Sequence, residues 1–406
     1  MAKKNANGDG SIYQRKDGLW CGAVTVGLNN DGTPKRKVLY DRDRDILRDK
    51  MIDLQNDIAI NGGYIRDDQI TLKQWVLQYL RDFIKPTIRA TTYDSYVVLC
   101  RNHIYNADIA TMKLKDIKPY HLQAYFKTKT YLSKSSIKKI YLLLNIFFEN
   151  AVKNDLIRKN PMYCVNRPNS EKEVKDIEIM SLDEQKAYMA ALNCTSYKVL
   201  LLTALFTGMR QGELLALTWE NTDLNKKELK VVSTFKETRI YKDDGTFEWQ
   251  IVKQPPKTKS GIRTIPLPDF LIKELTEHKR KQAERAIELD RDNFNPQHLV
   301  FCSEEGTPLN ARNTQRAHKL VCEKAKINPV QKVKGRKEMT IYGVSFHALR
   351  HTFATRMIEA GVDVKTVQYW LGHSTIQMTY NIYVHVQEQT KKAAAQVQND
   401  LFVSLI

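Results

Sequence analysis

The sequence lacks several features that would assign it to whole classes of protein. No apolar run approaches the roughly 20 residues needed to cross a bilayer, and no apolar stretch follows Met1 to Asn5 as a secretory signal requires. None of the six cysteines forms a C-x-x-C pair, which argues against a disulfide framework or a structural zinc site. Neither a glycine-rich phosphate-binding loop nor a metal-ligand cluster is found. We therefore expect a protein of a reducing cytoplasm that needs no cofactor or metal.

Positive charge is what the sequence has in excess. Lys and Arg number 64 against 46 Asp and Glu, a formal net charge of +18. A balance this basic indicates a polyanionic partner, either nucleic acid or an anionic membrane surface. Because no apolar stretch could span a bilayer, we favour nucleic acid over a membrane as the partner. At roughly 100–200 residues per domain, 406 residues predict two to four domains.

The first domain, predicted over residues 1–66, is a three-stranded β-sheet followed by one helix. The alternating stretch from Gly10 to Tyr40 is broken by glycine-containing turns, and apolar residues recur at helical spacing from Arg42 to Ile60. Basic residues flank the apolar strand positions and are candidates for reading DNA through the sheet: Arg15, Lys16, Lys35, Arg36 and Lys37. The alternative is that they only solvate the sheet, since residues 1–70 hold 12 basic and 11 acidic residues.

The second domain, residues 71–163, is predicted to be all helical. Thr91-Thr92 and Ser135-Ser136 resemble helix N-caps, and residues 137–152 carry apolar side chains on one side. Residues 111–160 contain 11 Lys plus Arg against 3 Asp plus Glu, which favours a surface that faces phosphates. Candidate contacts there are Lys134, Lys138 and Lys139.

A linker at 164–178 leads to a third domain, residues 179–388, and to a tail at 389–406. Ser181 and Glu184 form a capping-box pattern at the start of the third domain. The domain is predicted to be mainly α-helical with a small β-sheet, so the chain as a whole is a multidomain α+β protein. Strands are expected near 229–232 and 263–267, flanking a lysine-rich hairpin with Lys259 at its tip. Helices are expected at 181–193, 196–207, 269–289, 310–326, 347–360, 363–371 and 386–398, with another starting after Arg210.

A set of polar residues in the third domain suits phosphoryl transfer. The residues are Arg210, Lys259, His347, Arg350, His373 and Tyr383, with Glu213 three residues after the first arginine. Each alone has an ordinary structural explanation. Together they supply guanidinium forks for the negative charge on phosphate oxygens, a nucleophilic hydroxyl, and groups that move protons.

Three segments that carry these residues resemble the active-site motifs of tyrosine recombinases, the phage integrase family. They are Thr-Gly-Met-Arg-Gln-Gly-Glu-Leu at 207–214, His-Ala-Leu-Arg-His-Thr-Phe-Ala-Thr at 347–355, and Leu-Gly-His-Ser at 371–374 followed by Tyr-Val-His at 383–385. The helical segment is similar to the core-binding domain of that family. The strand-rich N-terminus resembles the arm-binding domain of integrases from conjugative transposons.

The resemblance implies a role for each residue. Arg210 and Arg350 would hold the scissile phosphate, and His373 would hydrogen-bond it. Lys259 would protonate the departing 5′ oxygen, and His347 would assist proton transfer from Tyr383, the nucleophile. Glu213 would orient Arg210.

Two of these assignments have competitors nearby. Lys257 competes with Lys259, which we favour because it directly precedes Ser260-Gly261. Tyr380 competes with Tyr383, which lies ten residues after His373 and just before a Val-His pair. The distance to the histidine favours Tyr383.

The resemblance also implies a site-specific recombinase that integrates and excises a mobile element without a cofactor. Its partners would be double-stranded DNA at the element ends and the target site, other copies in a homotetramer that exchanges C-terminal tails, and an accessory excision factor. The tail could equally pack on its own domain. The protein would act in the cytoplasm of a bacterial host, associated with the nucleoid. Two alternatives are a type IB topoisomerase, which relaxes DNA as a monomer, and a DNA-binding protein without cleavage activity.

Overall fold

The structure is a computed structural model that describes residues 11–28, 33–61, 69–173, 177–289, 294–334 and 337–380. Contacts divide the chain into two compact units, Met1–Val174 and Lys175–Ile406. In the described ranges, no helix combines the length and the apolar character that a bilayer-spanning segment needs.

The first unit begins with a small antiparallel sheet covered by one helix, as predicted. The strands β1 (Ser11–Gln14), β2 (Trp20–Leu28) and β3 (Pro34–Asp41) pair in that order, and α1 (Arg44–Asn61) follows. Val24 from the sheet packs against Leu47 and Met51 from the helix. Gly22 permits this contact, because a Cβ there would lie 2.2 Å from the sulfur of Met51.

The remaining described residues of the first unit are mainly helical. Its helices are α2 (Leu72–Tyr79), α3 (Ala90–His103), α4 (Asp108–Thr111), α5 (Pro119–Lys127) and α6 (Lys134–Lys153). The apolar face of α6 is buried, and the indole of Trp75 donates a hydrogen bond to the carbonyl of Phe147 at 2.8 Å. Ile140, Leu144 and Phe148 lie on the same buried face. The spacing of apolar residues in the sequence therefore correctly predicts which face of α6 packs against the core.

The predicted N-caps of two helices are wrong. Thr91 and Thr92 lie inside α3, whose N-cap is Arg89 and has no side-chain capping bond. Ser133, rather than Ser135 or Ser136, caps α6 and accepts a hydrogen bond from the backbone of Ser136 at 3.2 Å. The earlier start places Ile137 in the first turn, at the beginning of the buried face.

The described second unit contains seven α-helices between residues 182 and 371. They are α7 (Leu182–Ala191), α8 (Lys198–Thr207), α9 (Gln211–Leu215), α10 (Asp269–Glu288), α11 (Ala311–Lys324), α12 (Phe346–Glu359) and α13 (Val364–Leu371). The capping box of Ser181 and Glu184 is formed as predicted. Leu200, Leu201 and Leu205 of α8 are each at most 2% exposed, so this helix lies in the middle of the core.

Three small antiparallel sheets are found in the described part of the second unit. One has the order β4 (Thr222–Asp223), β5 (Glu228–Val231), β8 (Arg263–Pro266), and a hairpin of β6 (Thr234–Tyr241) and β7 (Phe247–Gln254) lies between β5 and β8 in the chain. A second hairpin, β9 (Val330–Lys334) and β10 (Lys337–Ile341), was not predicted. The predicted place of Lys259 is wrong: β6 and β7 turn at residues 242–246, and Lys259 opens a short 3-10 turn before β8.

The six cysteines are free thiols. Cys21, Cys100 and Cys322 are buried and Cys302 is half-buried. Cys164 in the first unit and Cys194 in the second unit are exposed. Burial raises the pKa of Cys100, and it raises that of Cys322 to about 11, so both stay protonated at neutral pH.

Candidate active site

The end of α8 places Arg210. Gly208 closes the helix in the left-handed conformation (φ 61°), and a Cβ there would lie 2.5 Å from the Phe353 ring. The chain then turns, and Arg210 becomes the N-cap of α9. Its backbone N–H donates to Oε2 of Glu213 at 2.9 Å and its Nη1 donates to Oε1 at 2.8 Å. Glu213 therefore accepts hydrogen bonds from both the backbone and the side chain of Arg210.

Arg350 lies in the second turn of α12 and is only 2% exposed. Its Nη1 donates to the carbonyl of Gly208 at 2.7 Å and its Nη2 to the carbonyl of Leu371 at 2.6 Å. Burial, and then the charge of Arg210, lower the pKa of Arg350, although a guanidinium stays protonated at neutral pH. The helix ends of α8 and α13 thus fix this arginine through their carbonyls.

A third arginine, Arg263, joins the site, and the sequence reasoning missed it. Its side chain has no exposed surface, and its Nη2 donates to Oε2 of Glu213 at 2.8 Å. The available signal was its position in β8: Arg263 and Ile265 share the buried face of that strand. We call Arg210, Arg263 and Arg350 the guanidinium cluster.

His373 follows the C-cap of α13 and is 7% exposed. Its Nδ1 lies 2.9 Å from the hydroxyl of Thr379, a fully buried side chain that sequence reasoning also missed. Burial, and then the charges of Arg350 and Arg210, lower the pKa of His373 to about 3. The ring is therefore neutral at neutral pH, and with Nδ1 facing Thr379 its Nε2 remains for another partner.

His347 is near the start of α12, and its ring meets that of His351 edge to face at 4.7 Å between centroids. It keeps an exposed edge, yet the protein around the ring and the positive charges of Arg350 and Arg210 lower its pKa. A cavity of about 570 Å³ opens beside it, between Gln211, Gln315 and Tyr342. Among the predicted catalytic residues of the described ranges, His347 alone lines that cavity.

The guanidinium cluster has more positive than negative charge. Glu213, 4% exposed, is the carboxylate that pairs with it. Burial alone would raise the pKa of Glu213, but the hydrogen bond and charge of Arg263, and then those of Arg210, outweigh burial and lower it. Three guanidiniums against one carboxylate leave an excess that favours an anion.

The two candidate lysines lie in the chain between β7 and β8. Lys257 and Lys259 are both exposed, in a stretch from Pro255 to Gly261 that we call the lysine turn. Its last residue, Gly261, accepts a hydrogen bond from Arg263 Nη1 at 3.0 Å. The turn is thus attached to the guanidinium cluster through its backbone, and both lysines remain candidates.

The predicted nucleophile, Tyr383, lies outside the described residues, as do His385, the expected helix at 386–398 and the tail. Its competitor Tyr380 is the last described residue and is 46% exposed. In the parts of the chain that the structure describes, no group of three or more His, Cys, Asp or Glu side chains could hold a metal ion.

The predicted DNA contacts fall into three sets. Lys134, Lys138 and Lys139 are exposed on α6, away from its buried face. On β3, Arg36 is exposed, whereas Lys35 and Lys37 share the half-buried side with Leu39, which packs toward α1. Arg15 and Lys16 are exposed after β1, and Arg15 lies over the Tyr40 ring at 5.7 Å. The sheet therefore divides the basic residues between its two faces.

Comparison with known proteins identifies the family. The model described as "Phage integrase family" matches residues 178–390, and the one described as "Phage integrase, N-terminal SAM-like domain" matches residues 71–139. A "Tyrosine recombinase XerC-like" protein of Caldanaerobacter subterraneus is 34% identical, covering 99% of this chain and 100% of the relative. The "Transposase from transposon Tn916" of Enterococcus faecalis is 24% identical over 95% and 94%. The chain belongs to the phage integrase family, and the expectation of a tyrosine site-specific recombinase is confirmed.

Solved structures share the fold. A Tn1549 transposon integrase in complex with a circular intermediate DNA superimposes with a TM-score of 0.58 at 19% identity, covering 80% of this chain and 99% of that one. A lambda integrase dimer bound to a COC′ core site gives a TM-score of 0.51 at 19% identity, covering 91% and 93%. The predicted multidomain α+β fold class is thereby confirmed.

Proposed function

We propose that this recombinase integrates and excises a mobile element by attack of Tyr383 on DNA, with a covalent 3′-phosphotyrosyl intermediate. The observation that carries the proposal is that Arg210, Arg350 and His373 lie together in one positively charged part of the site. A phosphodiester is the anion that this family handles, and two guanidinium forks plus an imidazole match its oxygens.

The proposed reaction uses side chains alone. The hydroxyl of Tyr383 loses its proton, with His347 as the acceptor, and the phenolate oxygen forms a bond to phosphorus. The bond from phosphorus to the 5′ oxygen breaks, and Lys259 gives that oxygen its proton. Arg210 and Arg350 bind the non-bridging oxygens, whose charge grows in the transition state, and His373 donates a hydrogen bond from Nε2. Attack by a 5′ hydroxyl on the phosphotyrosine reverses the step and rejoins the strand.

We propose the following division of labour. Residues 1–66 bind arm-type DNA, residues 71–163 bind the core site, residues 179–388 catalyse, and 164–178 link the last two. The active form is a homotetramer on DNA in which the tail 389–406 is exchanged between protomers, assisted in excision by an accessory factor. The relatives named as an integrase bound to circular intermediate DNA and as a transposase support a mobile element as the substrate.

A nicked suicide duplex that carries an element end tests the proposal. The short strand beyond the nick diffuses away after cleavage, so a covalent adduct accumulates and is seen on a denaturing gel. We expect an adduct with the parent protein and with Tyr380→Phe, the matched control three residues away. Tyr383→Phe should bind the duplex and form no adduct.

Two results would contradict the proposal. An adduct that persists in Tyr383→Phe but disappears in Tyr380→Phe would reassign the nucleophile. Relaxation of any supercoiled plasmid by a monomer, without exchange of strands between two sites, would indicate a topoisomerase.

A further inference from the structure

Arg263 occupies a place in the site that no phosphate can reach. Its side chain is fully buried, and four of its N–H groups are already used. Nε donates to the carbonyl of Trp370 at 2.5 Å, Nη1 to the carbonyl of Gly261 at 3.0 Å and to Glu213 at 3.2 Å, and Nη2 to Glu213 at 2.8 Å. A group so enclosed acts on DNA only through its neighbours.

Those neighbours are three segments of the active site. Glu213 orients Arg210, Gly261 ends the lysine turn, and Trp370 lies three residues before His373. Each receives at least one hydrogen bond from the same guanidinium. From this geometry we infer that Arg263 is a positioning residue for strand cleavage, which joins these segments and thereby aims Arg210 at the phosphate. The inference rests on the proposed function.

The sharing of Glu213 explains why a second arginine is needed. Oε1 accepts from the side chains of Arg210 and Arg263, and Oε2 accepts from the Arg210 backbone and from Arg263. Without Arg263 the buried carboxylate would be neutralised by Arg210 alone, so less of the Arg210 charge would be left for phosphate. Arg263 therefore balances Glu213 and leaves Arg210 available.

The close packing at Gly372 supports the same inference independently. A Cβ on Gly372 would lie 3.0 Å from Cδ and Nη1 of Arg263 and 3.0 Å from the carbonyl oxygen of Ser260. The Gly372 carbonyl also accepts a hydrogen bond from Arg210 Nη2 at 3.1 Å. Because Arg263 fills the space between the lysine turn and Gly372, a shorter side chain would let both segments shift, and Arg210 with them.

Single-turnover adduct formation on the suicide duplex tests this inference. Arg263→Gln should slow cleavage by about 10- to 100-fold, the range for a group that supports a ligand-binding residue, and leave DNA affinity unchanged. Arg263→Lys should recover part of the rate because it restores the charge. Arg356→Gln is the matched control: Arg356 also bonds a carbonyl and a glutamate, Met180 and Glu359, outside the cluster. It should cleave at the parent rate even where its melting temperature falls.

A double-mutant cycle with Glu213→Gln separates positioning from simple loss of folding. If Arg263 acts through Glu213, replacing Arg263 with Gln should slow cleavage much less in the Glu213→Gln variant than it does in the parent protein. The pH profile gives a second readout. The groups facing Glu213 are Arg210, Arg263, Arg350 and His347, and loss of Arg263 raises the pKa of Glu213. Cleavage by Arg263→Gln should then fall on acidification at a higher pH than cleavage by the parent.

The inference would be overturned if Arg263→Gln cleaved like the parent. It would also be overturned if the rate losses of the two single variants multiplied in full in the double variant. If Arg263→Gln does not fold, Arg263→Lys takes its place in the cycle. If the parent forms no adduct at all, the proposed function fails. In that case stability tests the positioning role by itself. The role would be overturned if the changes in melting temperature of Arg263→Gln and Glu213→Gln simply added in the double variant.

Discussion

The guanidinium cluster and the lysine turn belong to one site, yet the protein holds them in opposite ways. Arg263 and Arg350 are buried and bonded to four backbone carbonyls, from the end of α8, the lysine turn and the end of α13. Lys257 and Lys259 are exposed. The difference matches the work proposed for each region. Charge stabilisation is most effective when donors are fixed before the substrate arrives, whereas a proton donor must follow a leaving oxygen.

The largest expected effect would test the lysine turn. Lys259→Ala should slow adduct formation by about 10²–10⁴-fold, the usual contribution of a general acid, and Lys257→Ala should have little effect. Placing sulfur at the 5′ bridging position should restore the Lys259→Ala rate, because a thiolate leaves without a proton. A larger rate reduction in Lys257→Ala, with rescue by sulfur, would assign the general acid to Lys257 instead.

Replacing Arg350 tests the guanidinium cluster, the buried region of the comparison. Arg350→Met should slow cleavage by about 10²–10³-fold, the effect of removing one charge donor, and sulfur substitution should not restore it. The carbonyls of Gly208 and Leu371 lose their donors, so the melting temperature should fall as well. Arg356→Met on the same helix is the control for stability alone. Rescue of Arg350→Met by sulfur would contradict the division between charge and proton transfer.

Thr379 provides a smaller test of how firmly the imidazole must be held. Thr379→Val removes the hydroxyl beside Nδ1 of His373, and we expect a loss of about 1 kcal/mol in transition-state binding, or about fivefold in rate. Thr379→Ser keeps the hydroxyl and should cleave like the parent. Equal rates for the valine and serine variants would show that His373 needs no support from this side chain.

The smallest effect concerns DNA binding far from the chemistry. Replacing Lys138 and Lys139 together with Gln should lower the salt dependence of binding, by about 0.9 in the logarithmic slope for each phosphate that the variant no longer neutralises. Cleavage of bound DNA should be unchanged. Lys186→Gln is the control, since that lysine already pairs with Asp183 at 3.6 Å. An unchanged slope in the double variant would remove α6 from the DNA surface.

Local patterns in the sequence were sufficient where neighbouring residues decide the structure. The capping box at Ser181 and the buried face of α6 depend on residues three or four apart, and each formed as predicted. Arg210 and Glu213, three residues apart, are hydrogen-bonded to each other. The cap of α6 was misplaced by two or three residues, because several serines compete there and only the tertiary core decides which turn comes first.

Contacts between distant segments could not be predicted in the same way. Arg263 meets Glu213 across 50 positions in the chain and Trp370 across 107. Its strand position indicated burial, but a buried arginine requires a partner that the strand does not contain. The lysine turn was misplaced for a related reason: the β6–β7 hairpin and a short sheet share this region, and their pairing depends on register rather than on composition.

The two exposed cysteines described with the fold have a practical consequence. Cys164 lies in the first unit and Cys194 in the second, while Cys21, Cys100 and Cys322 are buried. Thiol-reactive fluorophores would therefore label the native sequence chiefly at one point in each unit. Energy transfer between the two dyes would report whether the distance between them changes when DNA is added, with every catalytic residue left intact.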